Sequence, residues 1–135
     1  MNRNEVRKNV FQVVFQVEFR QKEEFPELAE LFLSNQGITS EKAINEIIEK
    51  SMGILTHVQD LDVVLDDLLV GWKKDRLGKA ELAILRLALY EIIYEKETIP
   101  VAVAINEAVE LAKEFCDDKA SGMVNAVLSK YVKQE

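Results

Sequence analysis

A chain of 135 residues, 48% apolar and 30% charged, is long enough for one domain with its own core and too apolar for a disordered segment. Its net charge of −7 argues against a protein that coats nucleic acid indiscriminately. One cysteine, Cys116, excludes an intramolecular disulfide, and short apolar runs broken by charge, with no secretory segment at the start, predict a protein of the reducing cytoplasm without a membrane span.

The charge is uneven. Residues 1–20 hold four basic and two acidic side chains, a net +2, which leaves −9 on the rest. In this first stretch Val10–Val17 is rich in strand-favouring residues, yet Lys8, Gln12, Gln16 and Arg20 recur every four positions, as do Phe11, Phe15 and Phe19. A strand needs period two, so the spacing predicts a helix, apolar around most of its circumference and central to a core. Pro26 opens a short second helix through Leu28, Leu31 and Phe32 that stops near Gly37. Ser40 is a candidate N-cap for a helix carrying Ile44, Ile47, Ile48, Met52 and Leu55. The pattern resumes with Leu61, Val64, Leu65, Leu68 and Leu69 after a break near Asp60. Gly71 and Gly78 bracket a basic turn with Trp72, Lys73, Lys74 and Arg76. Glu81–Glu95 places Leu82, Leu85, Leu89, Ile92 and Ile93 on one side; Thr98 and Pro100 begin a helix to about Phe115; the last runs from about Lys119 through Tyr131. The prediction is an all-α bundle of six or seven helices over residues 1–135, with no internal repeat.

Little chemistry stands out. One histidine and one cysteine, far apart, cannot build a clustered metal site, so neither a metal nor another cofactor is expected. His57 falls at a helix end and is expected to be an ordinary surface histidine; Cys116 is expected to be packed or idle, because no third group orients a thiol–imidazole pair. The glycines are too scattered for a phosphate loop. Glu107, Glu110 and Glu114 fall on one helical stripe and read as a solvated face rather than a catalytic pair. No catalytic constellation emerges. Asn106 and Asn125 stand inside apolar runs, where asparagine is a poor helix former; buried interhelical hydrogen bonds are the expected explanation and direct ligand contact is the alternative.

From Trp72 onward the chain resembles the NusB family of bacterial transcription antitermination factors. The matching stretches are Asp75-Arg76-Leu77, Ala83 to Glu91, Pro100 with Val103 to Lys113, and Val124-Asn125-Ala126-Val127-Leu128; Arg3, Val6-Arg7-Lys8, Gln12 and Phe15 match more loosely. The resemblance implies two small helical subdomains and a non-enzymatic factor. It implies binding to the single-stranded boxA segment of nascent ribosomal RNA together with a small-subunit ribosomal protein, NusE, in a complex that makes RNA polymerase resist termination. Carried over by position, it implies RNA contacts from Arg3, Arg7, Lys8, Gln12 and Met123 and contacts to the basic ribosomal protein from Asp75 and Glu81. Arginine suits this use because its guanidinium binds phosphate through two parallel hydrogen bonds, and the expectation treats Arg7 as an exposed side chain.

Three positions depart from the family pattern. Asn4 replaces the second arginine of a common pair, Phe15 replaces a common tyrosine, and Met123 with Ala126 replaces a phenylalanine and a glycine. Each predicts weaker RNA binding than in relatives. The oligomeric state, monomer or homodimer, stays open. Two other readings remain: a scaffold that binds only protein, and an RNA-binding domain like that of ribosomal RNA methyltransferases, against which the absence of a catalytic domain before Glu135 counts.

Overall fold

The computed structural model describes residues 1–17, 24–71 and 77–134. Among these residues there are seven α-helices and no strand: α1 (Arg3–Val17), α2 (Phe25–Asn35), α3 (Glu41–Thr56), α4 (Val58–Leu68), α5 (Lys79–Tyr94), α6 (Val101–Phe115) and α7 (Ala120–Gln134). They form two compact units, Met1–Thr56 and His57–Glu135. The two-subdomain organisation implied by the family resemblance is therefore present.

In the first unit, α1 packs against α2 and α3. The period-four reading of Val10–Val17 holds: Asn2 caps the helix, its Oδ1 accepting the Glu5 N–H at 2.8 Å, and Val6, Val10, Phe11, Val13 and Val14 are buried. Burial of β-branched residues against two neighbours thus outweighs their modest local preference for strands. Pro26 sits in the first turn of α2, where its missing N–H costs nothing, and Gly37 ends that helix at φ +79. Ser40 does cap α3; its Oγ accepts the Ala43 N–H at 3.3 Å.

In the second unit, α5 is surrounded. It packs on α4, α6 and α7, and every residue from Ala83 to Leu89 is buried. The one-sided stripe expected for this helix understates its burial, because neighbours on three sides leave no wet face along that run. The single charged side chain within that run, Arg86, is accommodated by Asp62 of α4: Nε donates to Oδ1 and Nη2 to Oδ2, both at 2.8 Å. Helices α6 and α7 pack closely against each other, burying Ala104, Ala108, Leu111 and Ala112 on one side and Ala120, Val124, Val127 and Leu128 on the other. The predicted break near Asp60 falls three residues earlier, at His57. No helix among the described residues is long and apolar enough to cross a membrane.

Candidate nucleic-acid interface

The N-terminal helix divides its polar residues between two directions. Positions 4, 8, 12 and 15 recur at three- and four-residue spacing, so Asn4, Lys8, Gln12 and Phe15 share a stripe. Lys8, Gln12 and Phe15 are half-buried there and Asn4 is exposed. The Phe15 ring stacks on buried Phe11 with centroids 6.0 Å apart and stays partly exposed on the stripe that also carries Gln12. Arg3 is exposed at the start of the helix, where its charge adds to the positive end of the helix dipole.

Arg7 departs from expectation. It lies three, four and seven residues before Val10, Phe11 and Val14, all buried, so helical geometry turns it toward the core, and it is only 4% exposed. Its Nη1 donates to Asn4 Oδ1 at 3.2 Å. Asn4, which stands in place of the second arginine of the family's pair, thus holds Arg7, and Arg7 is not the exposed side chain that the expectation assumed.

In the second unit the implied site residues differ in exposure. Met123 is 7% exposed in the core, where it cannot stack on a base; the wide spacing of apolar residues in α7 places it with Val124 and Val127 on the inner side. Asp75 lies outside the described residues, as do Trp72, Lys73, Lys74, Arg76, Phe19 and Arg20. Glu81 is half-buried, and its carboxylate accepts the Gly78 N–H at 3.2 Å, so it caps α5 while keeping part of its surface open. Cys116 is half-buried; burial, then the charges of Glu81 and Asp117, push its thiol pKa above the ordinary value. His57 is half-buried, its ring 4.3 Å from that of Tyr94, which in turn lies 5.3 Å from Tyr90. Burial, with help from Glu95 and Tyr94, raises the Tyr90 hydroxyl.

Asn106 and Asn125 reverse the packing expectation. Both are exposed, and neither amide makes a hydrogen bond among the described residues. They line an open groove of about 560 Å³ between α6 and α7, walled by Ala102, Ile105 and Val109 and closed along α7 by Ser121 and Gly122. The volume falls in the range of small-ligand sites. No set of three His, Cys, Asp or Glu side chains among the described residues could hold a metal ion.

The sequence model of the NusB family matches residues 4–133. The chain is 43% identical over 131 residues to the transcription antitermination protein NusB of Agathobacter rectalis, covering 97% of this chain and 99% of that one. It is 42% identical to the NusB of an Exiguobacterium species, with both chains covered completely. Among solved structures, T. maritima NusB superposes with a TM-score of 0.87 at 31% identity, covering 100% of this chain and 93% of that one. A crystal structure of antitermination factors NusB and NusE in complex with double-stranded RNA contains a chain that superposes with a TM-score of 0.85 at 26% identity, covering 98% and 97%.

Proposed function

The chain belongs to the NusB family, and on that premise we propose that it is a transcription antitermination factor that binds RNA together with the ribosomal protein NusE. The observation that carries this reading is its likeness, over nearly the full length of both chains, to a chain of the crystal structure of NusB and NusE in complex with double-stranded RNA. It acts by binding rather than catalysis. Its RNA is a boxA-like, single-stranded segment of a nascent ribosomal transcript, and its place of action is the RNA polymerase antitermination complex in the cytoplasm.

The physical case rests on charge and exposure. With a net charge of −7, the protein alone holds RNA weakly, and a cationic partner adds the surface it lacks. Arg3 and Lys8 supply the phosphate contacts, while Gln12 and the outer part of Phe15 offer an amide and a ring to an unstacked base. Acidic groups on the second unit, Glu81 and Asp75 among them, face the basic ribosomal protein.

Binding of labelled boxA RNA, single-stranded and duplex, tests the reading with and without NusE at several salt concentrations. Two phosphate contacts give a slope of log affinity against log salt of about −1.4 for the protein alone on a single strand, steepening with NusE. Tighter binding of the single strand in the presence of NusE is the expected result. Binding to NusE without RNA binding in any combination would leave the protein-only scaffold as the reading.

A further inference from the structure

The fold does not explain Asn106 and Asn125. Both occupy helix interiors, where asparagine is a poorer helix former than alanine, and neither caps a helix or joins two. Their amides open onto the groove between α6 and α7, whose walls include Ile105 and Val109 and which no charged side chain lines. An uncharged groove with apolar walls and two unpaired amides suits a ligand with apolar faces and a hydrogen-bonding edge. Each amide offers a donor and an acceptor side by side, the pattern that pairs in two-point fashion with an adenine edge.

We infer that this groove is a nucleobase site, which takes one unstacked base of the bound RNA, adenine best. The base lies against Ile105 and Val109 and its edge is read by Asn106 and Asn125. The amides come from opposing helices, so they hold a compact planar group from two sides; an extended peptide would match amides repeated along one wall. The phosphates stay outside. No cation lines the groove, and Asp117 Oδ1 already accepts the N–H groups of Lys119 and of Ala120, the first residue of α7, at 3.1 Å each. This inference rests on the RNA-binding reading and adds to it a site that reads base identity rather than charge.

The test uses the full chain with NusE and fluorescently labelled boxA RNA, intact and with each base in turn replaced by an abasic unit. The variants are Asn106→Ala, Asn125→Ala and Gly122→Leu. Gly122 is chosen because a Cβ there meets nothing within 4 Å and leucine is the better helix former, so the side chain fills the groove without straining the fold. All three variants are expected to weaken intact RNA by about tenfold or more. The loss should vanish for one abasic position, and the salt slope should stay unchanged because no phosphate contact is removed. Variants that bind every RNA as wild type does would overturn the site while leaving RNA binding intact. Weakening equal at all positions, or accompanied by a lower melting temperature, would overturn it as an effect on the fold. Weakened NusE association without RNA would assign the groove to protein and overturn it too. If wild type with NusE binds no RNA at all, the broader reading falls and this site with it.

Discussion

Removing Asp62 should destabilise the second unit far more than removing an ordinary surface charge. Arg86 lies in the fully buried run of α5, its side chain 8% exposed, and two hydrogen bonds of 2.8 Å tie it to Asp62, whose side chain is 27% exposed. Asp62→Ala takes from a buried guanidinium the carboxylate that accepts from its Nε and Nη2. Breaking a buried pair in this way costs about 3–5 kcal/mol. The partial exposure of Asp62 lets water reach the site, so the lower end applies, about 3 kcal/mol, or roughly a hundredfold in the folding equilibrium. With a urea slope of about 1.5 kcal/mol per molar, the midpoint should fall by about 2 M at unchanged slope. The double variant Asp62→Leu with Arg86→Met removes both charges and keeps the bulk, and it should lie within about 1 kcal/mol of wild type. Urea titrations followed by far-ultraviolet circular dichroism distinguish the cases. A cost below about 1 kcal/mol for Asp62→Ala would mean that solvent already screens the pair. A double variant as unstable as the single one would refute the claim that a buried charge deprived of its carboxylate is the cause.

Other substitutions separate binding from folding. Arg3→Ala should leave the melting temperature unchanged and flatten the RNA salt slope by about 0.7, whereas Arg7→Ala should cost about 1–3 kcal/mol of stability, because Arg7 is buried and bonded to Asn4. Gly122→Ala should stabilise the protein by about 0.4–1 kcal/mol, seen as a raised urea midpoint, since Gly122 lies within α7 with open space at its Cβ. The Cys116 thiol should alkylate more slowly than a free cysteine at pH 8, and Glu81→Gln should speed it by removing a charge that raises its pKa. A thiol whose pKa is raised by folding binds more protons folded than unfolded. Its contribution to stability therefore falls as pH rises through the ordinary thiol range, and the urea midpoint should show that direction.

Helix existence was legible in the sequence because it depends on spacing, which survives without tertiary knowledge. The four-residue recurrence in α1 decided against the strand propensity of its valines and phenylalanines, and Pro26, Gly37 and Ser40 marked ends through chemistry confined to a few residues. The break at His57 was less visible because neither glycine nor proline marks it. The encirclement of α5 was hidden for another reason. Whether a helix is covered on one side or three depends on how many neighbours pack on it, and periodicity within the helix does not count neighbours.

The functional residues were misplaced where sequence neighbourhood stood in for helical direction. Asn106 lies among apolar residues in sequence, yet at about 100° per residue it points nearly opposite the stripe Ala104, Ala108, Leu111 and Ala112 that fills the core. Asn125 lies about 130° from the centre of the stripe formed by Ala120, Met123, Val124, Val127 and Leu128. The same count turns Met123 inward and, through Val10, Phe11 and Val14, buries Arg7. A family motif marks which positions matter but not which way they face. In this chain the two differ sharply: an arginine expected to meet RNA has become part of the core, and two asparagines expected to pack the core are left at the surface with their amides unspent. An exposed asparagine in a helix interior contributes nothing to packing and weakens the helix slightly, so its presence on both walls of one uncharged groove is better explained by what the groove holds than by what the fold needs.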